Sequence, residues 1–340
     1  MNRLVNVAIV GVTGAVGETI LSLLAERNFP VGKLYPLASE RSVGNTVLFK
    51  NKNLDVIDLA TFDFNEVDIA LFSAGGSVSK QYAPIAVAAG AVVIDNTSCF
   101  RYDDDIPLVV PEVNPLAIAQ YTNRGIIANP NCSTIQMLVA LKPIYDAVGI
   151  SRINVATYQS VSGTGKKAVS ELINQVGELL NGRTVKPEVY PQQIAFNAIP
   201  HIDDFEDNGY TREEMKMIWE TRKILEDNNI MVNPTAVRVP VLYGHSEAIN
   251  LELKSPMTAD NARKLLQKAP GVKVIDDPSK LKYPTAFSNA AGHDEVFVGR
   301  IRQDISHPCA LNLWVVADNI RKGAATNAIQ IAEILQSEYL

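Results

Sequence analysis

Residues 5–26, VNVAIVGVTGAVGETILSLLAE, contain the pattern that decides the fold. The apolar run 5–10 predicts a short strand, and glycines follow it at positions 11, 14 and 17. Beyond them, apolar residues recur at the three- and four-residue spacing of a helix. Glycines at such a turn let the backbone approach a phosphate, which the N–H groups of the helix N-terminus can bind. The stretch therefore predicts a dinucleotide-binding turn, and a tight turn without a ligand is the alternative.

The same alternation of strand and helix continues through the first 130 residues. Further strands are predicted at 33–37, 68–73, 91–95 and 125–128, with a helix at 81–89. This order is typical of a parallel, doubly wound sheet of the Rossmann type, which we expect over residues 1–130.

After residue 141 the pattern changes to that of an α+β domain, which we place at 131–318. Its predicted strands are 152–161, 236–242, 247–253, 296–301 and 311–316, and its predicted helices are 169–180 and 211–226. One amphipathic helix, 323–340, is predicted to end the chain, and we expect the segment 319–340 to complete the first domain.

Composition and charge exclude several classes of protein. The chain has 340 residues, enough for two domains, since single cores stop growing near about 250–300 residues. Its net charge is −6 without a dense run of Lys and Arg, so we expect no nucleic-acid partner. The longest apolar stretch, 85–94, is too short to span a bilayer, and the N-terminus lacks a signal-peptide pattern, so we expect no membrane partner. Three widely spaced cysteines are typical of reduced thiols in the cytoplasm.

The end of the second predicted strand bears on the choice between NAD and NADP. NAD sites usually have an acidic residue there, whereas this chain reads Ser39–Glu40–Arg41–Ser42. An arginine between two serines suits a 2′-phosphate, because it offers a bidentate cation and two hydroxyl donors. We therefore favour NADP, with Glu40 holding the ribose diol of NAD as the alternative. The candidate cofactor contacts are Gly11, Thr13, Gly14, Ala15, Val16, Gly17, Ser39, Arg41 and Ser42.

Cys132 stands directly after Asn-Pro-Asn and directly before an apolar run with helical spacing. Thiols at helix N-termini ionise more readily, because the helix dipole favours the thiolate, which is the nucleophilic form. Cys99 and Cys309 lack this setting, and a lone cysteine is more often a buried small hydrophobic residue. Together with a dinucleotide site, however, Cys132 indicates carbonyl chemistry through a thioester. The sequence has no HExxH or CxxC motif, so we expect no metal.

Motifs spread over nearly the whole chain support this interpretation. They are GVTGAVG (11–17), LASERSVG (37–44), DNTSCFR (95–101), LVVPEVN (108–114), NPNCST (129–134), TYQSVSGTG (157–165), REEMKMIWETRKI (212–224), RVPVLYGHSE (238–247), FVGRIRQD (297–304) and WVVADNIRKGAA (314–325). Together they resemble the aspartate-semialdehyde dehydrogenases, bacterial NADP-dependent enzymes of lysine, threonine and methionine biosynthesis. Residues 182–193 form a shorter segment than in many members of that family.

The resemblance implies a role for each matching residue. Cys132 would form the acyl-enzyme, His245 would act as acid and base, and Gln159 would orient the substrate. Arg238 would bind the substrate α-carboxylate and Glu213 its amine. The remaining matches are Arg101, Asn131 and Lys216 for the phosphate, and Ser162, Gly163 and Asn319 for cofactor contacts near the nicotinamide. The activity implied is NADPH-dependent reductive dephosphorylation of L-aspartyl 4-phosphate, and the implied assembly is a homodimer formed through the catalytic and dimerisation domain.

Two other functions would use parts of the same pattern. An N-acetyl-γ-glutamyl-phosphate reductase would share the cofactor loop, Cys132 and His245, but an acetylated nitrogen has no need of an acid such as Glu213. A non-catalytic NADPH-binding sensor would have no reason to keep Cys132, Gln159 and Arg238 together with His245. The chain has all four residues.

Overall fold

The computed structural model describes residues 3–340. The chain divides into two compact units, one of Met1–Asn131 with Ala324–Leu340 and the other of Cys132–Gly323. The C-terminal segment that belongs to the first unit thus begins at residue 324, whereas the sequence predicted that it would begin at residue 319. Across residues 3–340, no helix combines the length and the hydropathy that a membrane crossing requires.

The helices and strands are numbered in chain order. The helices are α1 (Ala15–Glu26), α2 (Gly76–Ala88), α3 (Cys132–Val148), α4 (Lys166–Leu180), α5 (Arg212–Leu225), α6 (Ala259–Leu266) and α7 (Thr326–Ile334). The strands are β1 (Val5–Val10), β2 (Val31–Ala38), β3 (Thr46–Phe49), β4 (Lys52–Asp55), β5 (Ile57–Asp58), β6 (Ile69–Phe72), β7 (Val92–Asp95), β8 (Ile126–Ala128), β9 (Ile150–Gln159), β10 (Met231–Arg238), β11 (His245–Leu253), β12 (Val272–Val274), β13 (Val296–Gln303) and β14 (Ala310–Ala317).

The first unit is built on the parallel, doubly wound sheet that the sequence predicts. Its strand order is β5-β2-β1-β6-β7-β8, and every neighbouring pair is parallel. All residues of β6 and β7 are buried. These strands are continuous apolar runs because helices cover both faces of a parallel sheet.

The C-terminal segment differs from the single amphipathic helix that the sequence predicts. Helix α7 lies between two wider helical turns, Arg321–Ala325 and Leu335–Tyr339. Ala328, Ile329, Ile331 and Ala332 of α7, with Ala325 and Leu335, are almost wholly buried in the same core as β1 and α1. Only Gln330, Glu333 and Ile334 of α7 are half-exposed, so its solvent face is narrow.

The second unit is an α+β domain on a mixed sheet with the order β10-β9-β11-β14-β13-β12. Along β11, residues alternate between buried and half-buried from Glu247 to Leu253. Helices α3 and α5 contact the sheet strands, whereas side chains such as Asn154, Asn250 and Asn312 lie on an open face. This alternation is what a sheet with one helix-covered face requires.

The predicted strand at 236–242 is wrong in its position. Strand β10 ends at Arg238, because Pro240 has no N–H to donate and the N–H of Val241 bonds the carbonyl of Val239 instead. The turn returns the chain to β11, which begins at His245. His245, which lies between the predicted strands 236–242 and 247–253, is therefore the first residue of a buried strand.

Candidate active site

The glycine loop of the first unit has the geometry that a phosphate-binding turn needs. Gly11 has a φ of +91°, and a Cβ there would lie 2.9 Å from the backbone nitrogen of Ala74. A Cβ on Gly17 would lie 2.2 Å from the carbonyl oxygen of Gly11. Helix α1 begins at Ala15 behind Gly14, which supplies no side-chain cap to the first N–H groups. Only glycine fits these positions, and the uncapped helix N-terminus fits a dinucleotide pyrophosphate.

A cavity of about 540 Å³ opens beside this loop. Ser39 and Glu40, at the end of β2, line it together with Asp58 and Tyr82, which the sequence analysis did not identify. Arg41 follows in a short 3-10 turn, and its side chain is exposed outside the lining. Glu40 and Asp58 are the two acidic residues of this lining.

Cys132 is the first residue of α3 and is half-buried. A Cβ on Gly323 would lie 2.7 Å from the Cβ of Cys132, so a larger residue at 323 would crowd the nucleophile. The other two thiols have different settings. Burial and the nearby carboxylate of Asp95 raise the pKa of Cys99, and Cys309 donates to the carbonyl of Leu253 at 3.3 Å. Cys132 is therefore the best placed of the three as a nucleophile.

Gln159 lies at the end of β9 with only 1% of its surface exposed. Its amide nitrogen donates to the hydroxyl of Ser133 at 2.9 Å and to the carboxylate of Glu213 at 3.1 Å. Ser133 follows Cys132 in α3, so the predicted substrate-orienting residue is connected to the neighbour of the nucleophile and to the predicted amine-binding acid.

Helix α5 presents Glu213 and Lys216 on one face, as their three-residue spacing predicts. Their side chains form an ion pair of 3.1 Å, and Lys216 also donates to Asp203 at 2.6 Å. Burial lowers the pKa of Lys216, but the carboxylates of Glu213 and Asp203 outweigh this and raise it above its usual value. The helix start is fixed by a capping box between Thr211 and Glu214. Lys216 is therefore a cation in a fixed position.

His245 is fully buried, and its ring is oriented by a backbone group. The N–H of Ser160 donates to Nδ1 at 3.0 Å, so Nδ1 is the acceptor and the proton of the neutral ring is on Nε2. Burial, together with the positive charge of Arg238, lowers the pKa of His245 to about 3. Within residues 3–340, Nε2 has no hydrogen-bond partner. A neutral imidazole thus presents a donor to whatever molecule enters.

Arg238 ends β10 beside this histidine and is 5% exposed. Its Nη1 donates to the carbonyl of Ser160 at 2.6 Å, while Nε is a buried donor without a partner in the described residues. A Cβ on Gly163 would lie 3.2 Å from Nη1 of Arg238 and 3.4 Å from Nε2 of His245. Glycine at 163 therefore leaves space against both side chains, where a substrate carboxylate can reach the guanidinium.

Asn319 and Ser162 belong to the same cluster and are joined by hydrogen bonds. The carbonyl oxygen of the Asn319 amide accepts from the hydroxyls of Ser160 and Ser162 and from the N–H of Gly244, at 3.0 to 3.2 Å. Through these three hydrogen bonds, Asn319 connects the segment after β9 to the start of β11.

The other two predicted phosphate residues belong to the first unit. Arg101 is buried and donates to the carbonyl of Asn96 at 2.8 Å, and Asn131 is the buried residue directly before Cys132.

Sequence reasoning did not identify Ser133, Ser160 or Asp203. The first two lie inside motifs quoted above, whereas Asp203 has no distinguishing pattern. Across residues 3–340, no group of three or more His, Cys, Asp or Glu side chains is arranged to hold a metal ion.

Comparison with known proteins identifies the family of the chain. Residues 6–121 match the model "Semialdehyde dehydrogenase, NAD binding domain", and residues 141–322 match "Semialdehyde dehydrogenase, dimerisation domain". The chain is 77% identical to the aspartate-semialdehyde dehydrogenase of Legionella pneumophila, over 100% of this chain and 98% of that protein.

Two solved structures extend the comparison. Aspartate semialdehyde dehydrogenase II from Vibrio cholerae, complexed with ASA, has a TM-score of 0.98 at 60% identity, covering 99% of this chain and 100% of that one. The enzyme from Candida albicans with NADP has a TM-score of 0.77 at 25% identity, covering 98% and 99%. The two family models and these relatives cover nearly the whole chain, and the chain belongs to the aspartate-semialdehyde dehydrogenase family.

Proposed function

We propose that the cluster around Cys132 carries out the NADPH-dependent reductive dephosphorylation of L-aspartyl 4-phosphate to L-aspartate 4-semialdehyde and phosphate. This reaction belongs to lysine, threonine and methionine biosynthesis. The observation that carries the proposal is the link from Ser133 through Gln159 to Glu213, which connects the nucleophile's neighbour to an acid suited to a free amine. Such an acid favours an aspartyl over an N-acetylglutamyl substrate.

Substrate binding uses the two buried charges of opposite sign. Arg238 pairs with the α-carboxylate, because its unpartnered Nε and its planar fork match a carboxylate bidentately. Glu213 receives the ammonium group, and Gln159 holds the Glu213 carboxylate in position from the other side. Two contacts at the amino-acid end bring the acyl carbon to Cys132 in one orientation, which lowers the entropic cost of attack.

The first chemical step is attack of the Cys132 thiolate on the acyl carbon. A carbon–sulfur bond forms, the carbon–oxygen bond to phosphate breaks, and phosphate leaves with the electron pair. Lys216, Arg101 and Asn131 stabilise the charge that develops on the phosphate. The Lys216 side chain suits this role because two carboxylates keep it protonated. A thioester on Cys132 remains.

The second step reduces that thioester. NADPH, when bound, supplies the hydride for the carbonyl carbon. The Nε2–H of His245 donates a hydrogen bond to the substrate oxygen that becomes negative as the hydride adds. This oxyanion then re-forms the carbonyl of the aldehyde, the carbon–sulfur bond breaks, and Cys132 leaves as the thiolate with the electron pair. Because Nδ1 is held by Ser160, the donor at Nε2 keeps its direction during the reaction. Ser162, Gly163 and Asn319 would lie beside the nicotinamide.

NADP is the cofactor that we propose, with the glycine loop 11–17 binding its pyrophosphate. Ser39 lines the cavity, and Ser42 ends the short 3-10 turn that follows it. Arg41 lies between the two serines and is exposed, so it can pair with a 2′-phosphate. Glu40 also lines the cavity, so use of NAD is the alternative.

A second copy of the chain is the proposed partner of the open face of the second sheet. Tyr158 and Trp314 lie together on this face, with ring centroids 5.7 Å apart, and Tyr158 is 38% exposed. The matched dimerisation model covers the strands that form it. Tyrosine and tryptophan side chains are enriched in interfaces between protein subunits. The three free thiols support a reducing, cytoplasmic location.

A coupled assay tests the reaction. Aspartate semialdehyde, phosphate and NADP should yield NADPH, measured by its absorbance. Cys132→Ser should abolish turnover while cofactor binding persists, whereas the matched Cys309→Ser should behave as wild type. Preference for N-acetylglutamate semialdehyde would show that the rival reductase is correct, and turnover by Cys132→Ser would exclude the thioester.

The protonation state of His245 can be measured directly by nitrogen-15 NMR, with His245→Asn to assign the signal. We expect a neutral ring with the proton on Nε2 from about pH 5 to pH 8, because the folded-state pKa is about 3. The unfolded ring has a pKa near 6.5, so it binds the proton more strongly than the folded one. Stability should therefore fall as the pH drops from about 6.5 towards 3. Titration of His245 near pH 6.5, or a proton on Nδ1, would contradict this.

Cofactor choice is tested with Arg41→Ala and Glu40→Ala. A charged contact to the 2′-phosphate contributes about 1.5–3 kcal/mol, so Arg41→Ala should raise the KM for NADP about 10- to 150-fold. The KM for NAD should change little. If Glu40 holds a ribose diol instead, the wild type should use NAD well and Glu40→Ala should weaken NAD alone.

The proposed dimer is tested by light scattering after size-exclusion chromatography. The wild type should have twice the mass of one chain, and Tyr158→Asp should shift it towards the monomer, since a charge would be buried in the interface. Leu116→Asp is the control, because Leu116 is exposed on the first unit. A monomeric wild type, or an unchanged Tyr158→Asp dimer, would exclude this face.

A further inference from the structure

The guanidinium of Arg238 lies over the ring of a tyrosine that none of the motifs includes. The distance from Cζ of Arg238 to the ring centroid of Tyr190 is 5.9 Å. Tyr190 is half-buried in the segment 182–193, whose shorter length the sequence analysis noted. A cation over the face of an aromatic ring is attracted by the ring quadrupole, more strongly where water is excluded.

The hydroxyl of Tyr190 fixes the ring on the side of the active site. It donates to the hydroxyl of Thr164 at 3.1 Å and to the carbonyl of Val161 at 3.4 Å. Both acceptors follow β9, close to the Ser160 carbonyl that accepts from Arg238. The ring and the guanidinium are thus attached to the same short segment.

Helix α4 fastens the chain on both sides of Tyr190. The carboxylate of Glu171 accepts from the N–H groups of Glu188 and Val189, before the tyrosine. The amide oxygen of Gln175 accepts from the N–H groups of Ile194 and Ala195, which follow the tyrosine, at 3.0 and 3.1 Å. Glu171 and Gln175 are both buried and lie one helical turn apart. This arrangement holds a loop in one conformation and leaves Tyr190 little freedom to leave Arg238.

We propose that Tyr190 is a positioning residue for Arg238 that sets the affinity of the enzyme for the substrate carboxylate. The guanidinium lies over the ring of Tyr190, and Nη1 donates to the carbonyl of Ser160. The edge that includes the unpartnered Nε then remains for the carboxylate. The inference rests on the proposed role of Arg238 in carboxylate binding.

The test replaces Tyr190 with rings of the same shape and decreasing quadrupole: phenylalanine, then its 4-fluoro, 3,5-difluoro and 3,4,5-trifluoro derivatives. Phenylalanine keeps the ring face, so its KM for aspartate semialdehyde should stay near that of the wild type. The trifluoro ring should raise this KM about 5- to 30-fold. Neither kcat nor the KM for phosphate should change, because Tyr190 touches no reacting group. A KM that is flat across the series would overturn the proposal.

Two further variants separate the possible failures. Tyr145→Leu is the matched control. Tyr145 is a half-buried tyrosine near the C-terminal end of α3, and its hydroxyl donates to Asp227. This variant should leave the KM unchanged. Arg238→Lys should raise the KM strongly, since a point charge cannot replace a bidentate fork. If Arg238→Lys has no effect, the proposed carboxylate site is wrong. If it raises the KM while the fluorinated series is flat, only the role of Tyr190 is wrong.

Discussion

The geometry of the second unit depends on the three polar groups of one residue, Ser160. Its N–H orients the ring of His245, its carbonyl holds Arg238, and its hydroxyl donates to Asn319. Two of these are backbone groups, which every substitution at 160 except proline would keep. Ser160 follows β9, whose neighbours in the sheet are β10 and β11. The register that pairs Gln159 with Arg238 and Tyr158 with Ser246 therefore brings the functional side chains to one sheet end.

The buried charges around this junction are tolerable because each has a compensating contact. Isolated buried ions are expensive, and a pair is favourable only where hydrogen bonds satisfy both partners. Lys216 lies between Glu213 and Asp203, and Gln159 bonds the far side of Glu213. His245 stays neutral, because burial and the positive charge of Arg238 outweigh the attraction of the Glu213 carboxylate. The neighbouring carboxylates thus keep Lys216 a cation, whereas burial keeps His245 a neutral donor. These are the states that the proposed departure of phosphate and the proposed hydrogen bond to the substrate oxygen require.

A rigid frame holds these groups without contributing chemistry. The capping box at Thr211 starts α5 in a fixed orientation, and Glu171 and Gln175 of α4 fix the loop that carries Tyr190. Side chains held by packing and hydrogen bonds lose little entropy when a substrate binds. The preorganisation of the proposed site therefore comes from helices whose own residues touch no reactant.

Local features of the chain were determined by the sequence alone. The glycine loop, the position of Cys132 at the start of α3 and the pairing of Glu213 with Lys216 follow from spacing along a single element. The strand at 236–242 was misplaced because apolar content outweighed Pro240 in the prediction, and His245 was consequently expected in a loop.

The tertiary structure alone decided the contacts between elements. His245 and Ser160 are 85 residues apart, Arg238 and Ser160 are 78 apart, and Asn319 and Ser160 are 159 apart. Periodicity reports which face of an element is buried, but not which distant residue covers that face. The tautomer of His245 and the ring over Arg238 arise from sheet register and loop anchoring, and neither leaves a local pattern in the sequence.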